Sequence, residues 1–259
     1  MIEMISSMVP ADMAAHAPAL LIVAPMLMAP VAAFMPNGRL AWILSILATG
    51  FSLLMAITLV SQVRSIEGGA VLSYAMGGWT PDAGIEFRID ALNSMVLLLV
   101  STIGLQAAIF SWPSVEAEIR DAKRAMFFAA YLVCFTGLCG VASTGDAFNL
   151  FVFLEISSIA TYVLVGLGAS RDRRALPAAG NYLLLGTIGA SFFVVGVGFL
   201  YAATGTLNMA ELAIRLQPLQ GNKAVLAGYA FIFVGLGIKA AMFPLHQWLP
   251  NAYAYSPSF

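Results

Sequence analysis

Seven long apolar stretches constrain this chain more than any other feature. They cover about residues 17 to 35, 40 to 62, 91 to 112, 125 to 143, 147 to 168, 179 to 203 and 225 to 243. Only the fifth and the seventh contain a charged residue, Glu155 and Lys239. A helix that crosses a bilayer needs about 20 mostly apolar residues, because each adds about 1.5 Å against a hydrocarbon core about 30 Å thick. The pattern predicts an all-α membrane protein of about seven transmembrane helices. Composition agrees: 10% of the residues are charged, against about 25% in a soluble domain, so a water-solvated exterior is out of reach. No low-complexity segment or linker interrupts the series, and residues 1–259 read as a single transmembrane domain.

One connection departs from helical character. Residues 71–88 read VLSYAMGGWTPDAGIEFR, two short, partly alternating runs around Gly77, Gly78, Pro81 and Gly84. That is the pattern of a β-hairpin with a several-residue turn, placed between the second and third spans. Asp90 and Asp146 precede the third and fifth spans, where a side-chain oxygen can cap free helix amides.

The remaining charges speak mainly about orientation. Arg39, Arg120, Lys123, Arg124, Arg171, Arg173 and Arg174 fall in loops on one side of the predicted bundle, and only Arg64, Arg88, Arg215 and Lys223 on the other. The positive-inside rule makes the first side cytoplasmic. The N-terminus and the hairpin are then periplasmic, and the C-terminus lies at the cytoplasmic side. Residues 1–13 carry Glu3 and Asp12 and no basic region, which argues against a cleaved signal peptide. A net charge of −1 offers nucleic acid no basic face. Cys134 and Cys139, five apart in an apolar run, fit neither a redox C-x-x-C nor a zinc site and read as packing residues. His16 reads as an interfacial residue without a companion, and two histidines so far apart are weak grounds for a haem. No cofactor is expected.

Glu155 sits several turns from either end of its span. A short carboxylate cannot reach water from there, so it is paired, or it is protonated and stitches two helices together; a functional role is the default at such depth. Ser158 and Tyr162, at i+3 and i+7, share its face and could hydrogen-bond it. Lys239 also lies deep in an apolar run, with Gly235 and Gly237 close by, where small residues let a neighbouring helix approach. Pro244 cannot donate to the carbonyl of Ala240, so the helix should kink or break just beyond the lysine. Irregular backbone at membrane depth needs cover from protein or water. The alternative for Lys239 is a long stem snorkelling to the interface. His246, at i+7 from Lys239, has a side chain suited to proton exchange near neutral pH, or it merely hydrogen-bonds at the interface. Thr187 and Ser191 form a short polar stripe on the sixth span.

Two of these segments resemble one family. TGDAFNLFVFLEISSIATYVLVGL (144–167) and GLGIKAAMFPLHQWLPNAY (235–253) are similar to the fifth and seventh helices of the antiporter-like proton-conducting subunits. That family includes the D-type component of the Mrp cation/proton antiporters and the M-type and N-type components of respiratory complex I. The hairpin segment SYAMGGWTPDAGIEFRIDALN (73–93) and the wording LEISS resemble the Mrp D-type component in particular. The resemblance implies that Glu155 is the acid of the fifth helix and Lys239 the lysine of a broken seventh helix, facing each other as a proton relay, with His246 as a further relay group. It implies a transport subunit and not an enzyme, in a bacterial inner membrane, partnered by other membrane subunits, the lipid bilayer, protons and Na+. The alternatives are a non-redox subunit of an NADH-quinone oxidoreductase or membrane hydrogenase, and a truncated remnant that transports nothing. Asn251 stands where family members carry an acid. Members are also about twice as long, so the chain corresponds to an N-terminal half.

The loop charges generate a direct test of orientation. With Cys134 and Cys139 replaced, single cysteines beside Arg173 should resist an impermeant thiol reagent in intact cells, whereas cysteines in the hairpin turn should label. Labelling beside Arg173 from outside inverts the topology.

Overall fold

The computed structural model describes residue 6 and residues 9–66, 71–81 and 84–258. Glu3 and residues 82–83 of the hairpin turn lie outside the described residues. The apolar stretches form helices α1 (Ala17–Ala33), α2 (Gly38–Ser65), α3 (Ala91–Glu118), α4 (Asp121–Ser143), α5 (Ala147–Leu167), α6 (Ala175–Thr204) and α7 (Lys223–Lys239), and α8 (Trp248–Tyr255) follows. Five of them, α2 to α6, are long and apolar enough to cross a membrane. Helices α1 and α7 have 17 residues each, about 25 Å of rise.

Side-chain caps set where several helices begin. Asp90 accepts from Asn93 N while the Asn93 side chain accepts from Asp90 N, a reciprocal capping box at α3. Asp146 accepts from Asn149 N at 2.6 Å and caps α5, as its position before the apolar run predicts. Between α2 and α3 the chain forms the hairpin, with β1 (Leu72–Ala75) antiparallel to β2 (Glu86–Ile89) and Leu72 opposite Ile89.

Close helix approach depends on glycine. A Cβ at Gly235 of α7 would lie 2.6 Å from Gly189 O and Phe193 N of α6, and one at Gly196 of α6 would lie 2.7 Å from Gly228 O of α7. Two glycines seven residues apart on each antiparallel helix therefore press backbone on backbone, where lipid supplies no hydrophobic drive and van der Waals contact must hold the pair. Helix α5 meets α4 the same way: a Cβ at Gly137 would lie 2.5 Å from Ser157 N, and Gly140 faces the ring of Phe153. Helix α5 is thus gripped in depth and rotation.

The two ends of the bundle differ. At one end Arg39 and Arg124 flank the ring of Trp112 at 5.5 and 6.0 Å, Arg171 pairs with Glu118 at 3.2 Å, and Arg174 lies 4.6 Å over Tyr255. Ser258 N also donates to Glu118 there, so the described C-terminal residues sit at the arginine-bearing end. The hairpin occupies the other end. His16 shares a 2.9 Å hydrogen bond with Tyr74 of β1, so it has a companion that its isolation in sequence concealed.

Glycine contacts of this kind yield a contrast. Gly235→Ala and Gly137→Ala, which drive a methyl into backbone, should each cost about 1–3 kcal/mol of stability. Gly198→Ala, with nothing within 4 Å of its Cβ position, should leave the melting temperature of the solubilised protein unchanged. Equal effects at all three sites would remove the packing argument.

Candidate functional site

Helical spacing puts Glu155, Ser158 and Tyr162 on one face of α5, and α7 delivers its last residue, Lys239, to that face. Lys239 Nζ donates to Glu155 Oε1 at 2.7 Å and to Ser158 Oγ at 2.7 Å. The side chains are 12% and 19% exposed for Lys239 and Glu155. Ser158 also donates to Leu154 O at 2.7 Å, so its hydroxyl is used in both directions. The sequence suggests that Ser158 serves the acid; in the structure it serves the lysine instead. The reason is reach: the ammonium has three donors to place, and the serine oxygen is an acceptor one turn from the carboxylate.

Tyr162 points its hydroxyl against Gly186 of α6 and makes no hydrogen bond to any described residue. Its ring meets Tyr182 edge-on at 4.6 Å. His246 is exposed, with its ring 5.6 Å from Phe243, and is not hydrogen-bonded to Glu155 or Lys239. Thr187 and Ser191 are exposed and return their hydroxyls to the carbonyls of Leu183 and Thr187 at 2.7 and 2.9 Å. Cys134 lies 3.4 Å from Thr161 Oγ1, and Cys139 is fully buried.

Helix α7 stops at the lysine itself. Ala241 N donates to Ile238 O at 3.1 Å and Met242 N to Gly237 O at 2.9 Å, with Ala241 at φ 51°. This is a Schellman ending with alanine at the left-handed position that glycine normally fills. The break is therefore earlier than Pro244 alone requires. Pro244 lies inside the non-helical residues 240–247, where it bars Phe243 from resuming a helix. The two glycines also divide their work: Gly235 packs on α6, whereas the space at Gly237 faces Met242 and Leu245 of the returning chain.

A second polar cluster, which sequence patterning misses, anchors α5 from the hairpin end. Glu86 has a side chain only 3% exposed and accepts from Ser73 Oγ and, at 2.7 Å, from Asn208 Nδ2. Its backbone carbonyl takes Gly145 N at 2.8 Å, and Ala147 N bonds to Leu207 O. Hairpin, start of α5 and the 204–208 turn are thereby one unit. Burial pushes the Asp146 carboxyl above its ordinary range, against the pull of the Asn149 and Phe148 amides. No alternation signal marks Glu86, because Glu86 and Phe87 are both buried. Among the described residues no three His, Cys, Asp or Glu side chains converge as a metal site.

Residues 144–259, which hold both members of the pair, match the family model described as NADH:quinone oxidoreductase/Mrp antiporter, TM. The chain is 42% identical over 246 residues to the N-type component of the NADH-quinone oxidoreductase of Desulforudis audaxviator (strain MP104C), covering 95% of this chain and 48% of that protein. It belongs to the antiporter-like membrane subunit family. The D-type component of the Na(+)/H(+) antiporter of Bacillus subtilis (strain 168) is 33% identical over 195 residues, 75% of this chain and 38% of the relative. A chain of the solved membrane-bound sulfane sulfur reductase, an archaeal respiratory membrane complex, superposes with a TM-score of 0.83 at 34% identity, over 95% of this chain and 48% of that one. The chain spans about half the length or less of the curated relatives it matches.

The geometry predicts strong coupling. Glu155→Gln or Lys239→Met should each lower stability by about 3–5 kcal/mol, because one buried charge is left without its partner, reduced somewhat by the residual exposure. The double mutant should lose less than the sum. Additive losses in thermal unfolding would show that the two groups do not act on each other.

Proposed function

We propose that this chain is the N-terminal half of a proton-translocating membrane subunit, in which Glu155 and Lys239 form a relay element. The observation that carries this reading is the 2.7 Å contact between an amine and a carboxylate inside an apolar bundle. Lysine and glutamate are both able to gain and lose protons, and each controls the charge the other can hold: a carboxylate nearby favours an ammonium, and its withdrawal in a buried site favours the free amine. Ser158 holds the amine in line as the proton leaves or arrives. Tyr162 supplies a further hydroxyl one turn on, and His246, across the break, is the next side chain suited to proton exchange near neutral pH. In this relay only protons move, between an amine and a carboxylate, and the chain acts as a non-redox transport subunit and not as an enzyme.

In this reading the chain crosses a bacterial inner membrane about seven times, α1 to α7, as a single domain. The arginine-bearing end faces the cytoplasm with the C-terminus; the hairpin and N-terminus face the periplasm. Its partners are other membrane subunits, and its cargo is protons, exchanged for Na+ in a multisubunit monovalent cation/proton antiporter. The hairpin sequence and LEISS support that assembly. A second assembly has its own support: the 42% identity to an N-type component of an NADH-quinone oxidoreductase fits a complex driven by electron transfer, with the same pair moving the proton.

The native assembly should be isolated, its subunits identified by mass, and proton flux followed with a pH dye inside liposomes under a sodium gradient or with an electron donor. Glu155→Gln and Lys239→Met should each lower the flux at least about tenfold, the loss typical of removing a proton-transfer group. The driving force that restores flux in the wild type decides between the two assemblies. Undiminished flux in both variants would falsify the relay.

A further inference from the structure

Trp248 opens α8 and is buried, at 6% exposure. Its ring lies flat on Tyr182 of α6, with centroids 4.1 Å apart and planes 6° from parallel, and its Nε1–H donates to Ile238 O at 3.0 Å. That carbonyl belongs to the planar peptide unit whose nitrogen is the one of Lys239. Fixing it fixes the plane from which the lysine side chain departs. The Ala241 amide bonds the same carbonyl at 3.1 Å from within the break itself, and residues 242–247 beyond it are all exposed, so Trp248 is the side chain that holds this carbonyl from the far side. Ala241, at φ 51°, occupies backbone that persists only where the surroundings over-determine it. The indole also shares a buried cluster with Val165 of α5 and Ala178 of α6. One side chain thus ties the helix that carries Glu155 and its neighbour to the end of the helix that carries Lys239.

We infer that Trp248 is a positioning residue for Lys239: its indole N–H orients the Ile238–Lys239 peptide so that Nζ meets Glu155 and Ser158 together. The inference rests on the Glu155–Lys239 pair being the working element. A tryptophan that only packs needs its ring, whereas a positioning tryptophan needs its N–H as well. That difference separates the two roles. A displacement of the amine by about 1 Å is enough to spoil a transfer geometry, and no distant rearrangement is required to produce it.

The test replaces Trp248 with 3-benzothienylalanine, which keeps shape and stacking but carries sulfur where the indole has N–H. The full chain in lipid bilayers is labelled at lysine 15Nζ and glutamate 13Cδ. Lys123, Lys223 and Lys239 are its three lysines, so Lys239→Met assigns the amine signal. The dipolar coupling between Lys239 Nζ and Glu155 Cδ reports their separation. The expected result is a direct-contact coupling in the wild type that falls by about half or more in the isostere, the response to a displacement of about 1 Å, with melting temperature unchanged. Trp248→Phe should act in the same direction. A coupling present in the wild type and unaltered in the isostere overturns the positioning role alone. A coupling absent already in the wild type overturns the pair, and this inference with it.

Discussion

The rest of this structure depends on the contact between Lys239 and Glu155. Taking either charge out of water costs several kcal/mol, and their attraction offsets that only with good geometry and further hydrogen bonds. The bundle supplies the geometry. Gly189, Gly196, Gly228 and Gly235 bring α7 onto α6, and Gly137 and Gly140 bring α5 onto α4. Helix α7 then ends at the lysine, so its amine emerges at a chain break where backbone and side chains are both accessible to polar partners. Ser158 takes the second of its donors.

The two ends of the bundle serve that centre differently. At the hairpin end Glu86, Asn208 and the backbone around Gly145 lock the start of α5, which sets the depth of Glu155 two turns further on. At the arginine end the chain after the break returns through Trp248 and Tyr255 toward Arg174. One end is therefore a fixed anchor, and the other approaches the lysine through a short exposed segment. The acid is thus held by its whole helix, and the lysine by the hydrogen bonds that close the end of α7.

Much of this was legible in the sequence because membranes make charge conspicuous. Glu155 and Lys239 stand out as the charges inside two apolar runs, and Asp90 and Asp146 stand where caps belong. The hairpin was visible from Gly77, Gly78, Pro81 and Gly84. Most of what escaped depends on which surface of one element meets another. Nothing local marks Gly189 or Gly228 as contact glycines among the 23 in the chain. Helical spacing assigns Ser158 to the acid on its own face, whereas its oxygen accepts from a lysine 81 residues away that no spacing along α5 can indicate. Ala241 hides the Schellman ending because that position announces itself only when it is glycine, and Pro244 drew attention to a break that begins earlier. Glu86 with Asn208 and His16 with Tyr74 are long-range pairings between the hairpin and other parts of the chain, invisible to spacing along one strand.

A structural ion pair and a proton relay predict the same folded protein, and they part over whether Lys239 releases its proton. Arginine keeps the charge and the pairing but does not deprotonate in proteins. Proton flux through the native assembly carrying Lys239→Arg, compared with wild type at equal folded yield, is therefore the most direct measurement. A relay at Lys239 predicts a stable, assembled protein with its flux abolished. Wild-type flux in that variant would contradict it, and would leave Glu155 and Lys239 as a strut.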